Sequence, residues 1–110
     1  MISIHVWRGE EGVHLLAQGH AGYDVAGRDI VCAGVSAILF GLKSYLEKQK
    51  SRASESVFFI QWDGGLLIST KEFGETDRGA WDVTRASIEE IAKNYPQYVS
   101  WNDFMSKEEI

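Results

Sequence analysis

Cysteine is nearly absent from the 110-residue chain. Cys32 stands alone, so no internal disulfide can form and no cysteine cluster can hold structural zinc. Histidine is scarce too, at positions 5, 14 and 20, and these three with Cys32 match no zinc-ligand spacing. Positive charge is in deficit: 11 Lys and Arg against 16 Asp and Glu leave a net charge of -5. That balance removes any general pull toward phosphate backbones and argues against direct nucleic-acid binding. The longest uncharged run, Ile30 to Leu42, has 13 residues, short of the roughly 18 that suggest a membrane helix. The opening MISIHVWRGEEG lacks the basic, apolar and small-residue segments of a secretory signal. The expectation is a cytoplasmic protein with no metal, no cofactor and no membrane partner.

What is present is the balance of one globular domain, 45% hydrophobic and 25% charged. The expected domain covers residues 1–105, followed by a solvated polar tail at 106–110. A chain this short buries its long apolar side chains in a single core or at a subunit interface, so a homodimer is an open option. Ile2, Ile4 and Val6 alternate with polar or aromatic neighbours, the period of a half-buried strand. After a turn at Arg8 to Gly12, Val13, Leu15 and Ala17 return on one face, with His14, Leu16, Gln18 and His20 on the other.

Residues 21–28, AGYDVAGR, carry two glycines and no period, so they read as a mobile surface loop. From Val31 the period becomes helical: Val31, Val35, Ile38, Leu39, Leu42 and Leu46 share one face, with Asp29 as N-cap. Ser51 to Ser56 reads as a polar connection. Val57 to Trp62 and Leu66 to Thr70 flank Asp63-Gly64-Gly65, a hairpin signal. A second helix is expected from Thr76 or Asp77, its stripe being Ala80, Val83, Ser87, Ile91 and Tyr95, with Pro96 ending it. A short strand is expected at Tyr98 to Trp101. The order β-β-α-β-β-α implies an α+β sandwich, an antiparallel sheet with two main helices. Trp7, Phe58, Phe59, Trp62, Trp81 and Trp101 are read as core or dimer interface.

Cys32 falls in the first turn of the first helix, where unpaired N–H groups and the helix dipole favour a thiolate, the attacking form of the residue. The bland alternative is a small apolar residue at the edge of the buried face. His5 and His14 lie inside strand patterns and read as ordinary sheet residues. His20 ends its strand at the glycine loop leading to Cys32, which makes it the natural proton partner. Asp29 has two competing roles, capping the helix or orienting His20. Ser36, one turn beyond Cys32, either hydrogen-bonds near the pair or only permits close packing.

Gly19-His20-Ala21, then Gly27, Asp29-Ile30-Val31-Cys32-Ala33 and Val35-Ser36, together resemble the signature of the ribosomal-processing cysteine protease (Prp) family. The resemblance implies a Cys-His protease that removes the N-terminal extension of large-subunit ribosomal protein twenty-seven during bacterial ribosome maturation. Cys32 would be the nucleophile, His20 the general base, and Asp29 and Ser36 supporting residues. Amides at the helix start, including that of Cys32, would be oxyanion donors. The loop would gate the substrate cleft, with Gly22 and Gly27 supplying freedom at its ends. The family is similar in cutting after an aromatic residue and before a small one, and in forming homodimers. An apolar pocket seating that ring would include Tyr23 or residues of the Phe58 to Trp62 strand. The rival reading is a noncatalytic dimeric module that binds a ribosomal protein or assembly factor. A third, a redox-sensing thiol, lacks a resolving cysteine.

Overall fold

Alternation in the first eighteen residues produces two paired strands, β1 (Ile2–Gly9) and β2 (Gly12–Gln18). The computed structural model describes residues 1–10, 12–48, 56–71 and 74–104, so the expected connection at Ser51 to Ser56, apart from Ser56, and the tail at 106–110 lie outside the described residues. Helix α1 (Ile30–Glu47) follows, then β3 (Val57–Trp62), β4 (Gly65–Thr70), α2 (Glu75–Asn94) and β5 (Val99–Asp103). The strands form one sheet in the order β3-β4-β2-β1-β5.

The expected α+β architecture is present with one correction to the sheet. All neighbouring pairs are antiparallel except β1 and β5, which run parallel with Ile2 opposite Val99, so the sheet is mixed. The cause is α2, which carries the chain back to the end of the sheet where β1 starts. There the Ile2 amide donates to the Tyr98 carbonyl at 2.8 Å.

Both helices pack on one face of the sheet. Ile4, Val6, Leu15 and Ile68 from the strands meet Val31, Val35, Leu39, Leu42 and Leu46 from α1 and Ile88 from α2. Truncating any one of the fully buried side chains to alanine would cost about 2–5 kcal/mol. At 18 residues α1 is apolar enough to cross a membrane by composition alone. Its five buried side chains nevertheless lie on one face sealed in this core, the pattern of an amphipathic helix packed on a sheet.

The expected stripe of α2 is met in part: Ala80, Ile91 and Tyr95 pack against the core, but the fully buried positions are others. Asp77, Trp81, Thr84 and Ile88 face the core, while Val83 is 67% exposed. Polar residues occupy the buried side because their hydrogen bonds are made locally: Asp77 Oδ2 accepts from the Gly74 amide at 3.0 Å, and Thr84 Oγ1 donates to the Ala80 carbonyl at 2.8 Å.

The other face of the sheet has no helix over it among the described residues. Phe58, Ile60 and Trp62 are 55%, 44% and 41% exposed there. His14 hydrogen-bonds Ser69 at 2.8 Å and stacks on Trp7, and His5 stacks on Phe104. Both histidines are thus ordinary sheet residues. Of the six aromatics expected in the core or an interface, Trp81 is in the core, Phe59 and Trp101 pack against it, and Trp7, Phe58 and Trp62 lie on this open face.

Candidate active site

The strand carrying His14, Leu16 and Gln18 stops before it reaches His20. Gly19 adopts φ +98°, and a side chain there would run into the Met1 carbonyl, so only glycine fits. Its amide donates to the Gly64 carbonyl at 2.8 Å. This break removes His20 from the open face, where simple alternation puts it, and sets it at the end of the sheet in the same cavity as Cys32.

That cavity, about 150 Å³, lies between the N-terminal half of α1 and the end of the sheet. Cys32, Ser36 and Phe40, spaced four apart on α1, form one wall, with Val35 and Leu39 beside them. Ala17, Leu66 and Gln61 form the opposite wall, and Gly64 and Gly65 close one end. Two of these positions, Phe40 and Gln61, carried no chemical signal in the sequence. They are exposed at the rim, with Phe40 37% exposed. Gly64 was legible only as a hairpin turn. It has φ +78°, and a Cβ built on it would stand 3.0 Å from His20 Nε2, so the turn and the imidazole pack face to face. Among the described residues no hydrogen bond joins the His20 ring to the Cys32 thiol.

Asp29 is the N-cap of α1. Its Oδ1 accepts from the Cys32 amide at 2.9 Å, and its Oδ2 accepts from the amides of Tyr23 at 3.1 Å and Asp24 at 3.4 Å. The Cys32 amide, followed by the other amides facing the carboxylate, holds the Asp29 carboxyl below its ordinary value of 3.8. This arrangement alters one expectation. The Cys32 amide is already engaged by Asp29, and that of Ala33 donates to the Asp29 carbonyl at 3.0 Å, so neither is free to receive an oxyanion.

The 21–28 loop has Gly22 at φ +72° and Gly27 at φ +88°, both in the left-handed region. None of its residues lines the cavity. Tyr23 points instead to the end of α2, meeting Tyr95 and Tyr98 edge-on with ring centroids 5.5 and 5.3 Å away. Of the two sources considered for a ring-binding pocket, the β3 strand contributes Gln61 and Tyr23 contributes nothing. Among the described residues, no three His, Cys, Asp or Glu side chains converge as a metal site.

Residues 1–100 match the family described as cysteine protease Prp. The chain belongs to the Prp family and is a cysteine protease. It is 30% identical over 89 residues to the ribosomal processing cysteine protease Prp of Mycoplasma genitalium, covering 81% of this chain and 86% of that one. The fold superposes on the ribosomal processing protease Prp of S. aureus with a covalently linked product peptide at a TM-score of 0.81. That match has 26% identity and covers 94% of this chain and 99% of the other. The same S. aureus protease with a substrate peptide gives a TM-score of 0.70, with 25% identity and the same coverage of both chains.

Proposed function

We propose that this Prp family member acts in the cytoplasm as the endopeptidase that removes the N-terminal extension of large-subunit ribosomal protein twenty-seven, through a Cys32-His20 dyad. The observation that carries the reading is the single cavity that Cys32 and His20 share, walled by apolar side chains. At about 150 Å³ it has the size of cavities that accept one benzene ring. That fits an aromatic side chain on the residue before the cut, seated among Val35, Leu39, Phe40 and Leu66.

In this mechanism His20 takes the thiol proton and Cys32 Sγ attacks the scissile carbonyl carbon. The C–N bond then breaks as the imidazolium returns the proton to the leaving amine. Water, deprotonated by His20, attacks the thioester, releasing the carboxylate of the extension and restoring the thiol. Ser36 lines the cavity one turn from Cys32 and supports the dyad from the helix side. The two reacting groups must close up on each other for the first transfer. A rearrangement of the loop between Gly22 and Gly27 supplies that movement and gates the substrate. The same rearrangement, by drawing Asp29 off the Cys32 amide, would release an oxyanion donor. A second copy of the chain is the proposed cover for the exposed Phe58, Ile60 and Trp62 on the open sheet face.

Intact mass spectrometry of the extended ribosomal precursor after incubation with the protein tests the reading. One new N-terminus, cut after an aromatic residue and missing with Cys32→Ala and with His20→Ala, is the expected result. An uncut precursor in the presence of folded wild-type protein would overturn it.

A further inference from the structure

The two edges of the sheet are not alike. At the β5 edge Asp103 is paired with Arg85 at 2.7 Å, and the Phe104 amide donates to the Val6 carbonyl at 3.0 Å. The β3 edge, Val57-Phe58-Phe59-Ile60-Gln61-Trp62, has no charge and no proline, the usual devices that keep an edge from pairing. Its backbone polarity is fixed by two observations. Ser56 accepts from the Lys71 amide at 2.8 Å, and Trp62 stands opposite Gly65 across the two-residue turn. Hydrogen-bonded pairs alternate along an antiparallel ladder, so Ser56, Phe58, Ile60 and Trp62 direct their amides and carbonyls to β4. Val57, Phe59 and Gln61 direct theirs outward, where among the described residues no strand pairs with them.

This free edge is continuous with the active-site cavity. Gln61 belongs to both, and with Phe40 across from it marks an exposed part of the rim. Further along the same helix Lys43 lies over the Phe59 ring, 5.0 Å from its centroid, so α1 flanks the helix-side face of β3 beyond the cavity. The geometry points to an added strand: the substrate's extended segment beside the scissile bond pairs with the outward backbone of Val57, Phe59 and Gln61, and this pairing delivers the bond to Cys32. The inference rests on the precursor-processing reading above and adds how the peptide is held. Main-chain pairing supplies affinity for any extended sequence, while the apolar cavity supplies selectivity for one side chain.

The test uses the Cys32→Ala protein and fluorescein-labelled peptides spanning the precursor cleavage site, each with one backbone N-methyl group, measured by fluorescence anisotropy. N-methylation at alternate positions is expected to weaken binding tenfold or more, with small effects at the positions between. Gln61→Pro is expected to weaken binding well beyond Gln61→Ala, because both remove the side chain and only proline removes the outward N–H. Amide hydrogen exchange at Phe59 and Gln61 should slow when the unmodified peptide binds. The proposal is overturned by absence of binding, by equal tolerance of N-methylation at every position, or by equal effects of the two Gln61 substitutions. Protection of the same amides in the free protein that rises with its concentration would also overturn it, assigning the edge to a second copy. Cleavage by wild-type protein is read separately. Alternate-position binding without cleavage keeps the added strand and removes the processing assignment, and cleavage without that pattern does the reverse.

Discussion

Helix α1 begins under Asp29 and helix α2 under Asp77, and in both a carboxylate accepts from backbone amides near the positive end of the helix dipole. Asp77 turns back within its own first turn to the Gly74 amide and is buried. Asp29 divides its two oxygens, one on the amide of Cys32 and the other on the amides of Tyr23 and Asp24 in the preceding loop. The first arrangement closes a helix end. The second ties the Cys32 amide to a loop, so a displacement of that loop has a direct route to the proposed nucleophile.

Cys32→Ala and His20→Ala should each lower the rate of precursor cleavage by about 10³-fold or more while leaving the melting temperature near that of the wild type. Asp29→Ala frees the Cys32 amide but leaves the helix start uncapped, and the resulting shift of the thiol should outweigh the freed donor and lower kcat/KM by about 10- to 100-fold. Faster hydrogen exchange at the Tyr23, Asp24 and Cys32 amides should accompany that loss, and Asp29→Asn, which keeps an acceptor oxygen, should recover part of it. Asp77→Ala should cost about 1–2 kcal/mol in urea unfolding and leave cleavage at 25 °C within about twofold of wild type. If Asp77→Ala slowed cleavage as strongly as Asp29→Ala, the two caps would be equivalent and the distinction would fail.

The smallest effect concerns pH. The Asp29 carboxyl is held below 3.8 in the folded chain, so its ionised form stabilises the fold above that value. The contribution is lost as pH falls from the unfolded value near 3.8 through the depressed folded one. Protection of the Tyr23 and Asp24 amides by the carboxylate should therefore stay constant from about pH 5 to 8 and disappear only in acid. Backbone NMR across that range checks this, and a change near neutrality would mean that some other group controls the clamp.

Much of this could be read directly from the residues, because the signals were local. The three- and four-residue spacing of Val31 to Leu46 and the position of Asp29 define α1 and its cap. The alternations of Ile2 to Val6 and Val13 to Ala17 define the first hairpin. The α2 stripe was legible in part: Ala80, Ile91 and Tyr95 pack on the core, but apolarity alone as the guide missed that Asp77 Oδ2 and Thr84 Oγ1 bond locally and turn inward, leaving Val83 outside. Parallel pairing of β5 with β1 joins residues almost a chain length apart, so no window of sequence contains it. Cys32 and His20, the proposed dyad, were visible through motif and helix position. The facing of Gly64 on His20, and of Gln61 on the wall opposite Phe40, depends on the sheet end meeting α1 and has no local trace.

The buried stripe of α1 carries a consequence for how the protein can vary. Cys32 sits between Val31 and Val35, which are locked in the same interior row as Leu39, Leu42 and Leu46. Each residue advances a helix by about 100°, so inserting or deleting one between Cys32 and Leu46 would swing the thiol off the cavity or pull the leucines out of the core. Length variation among working homologues should therefore be excluded from this helix and fall instead in the 21–28 loop, where residues 22–28 are exposed.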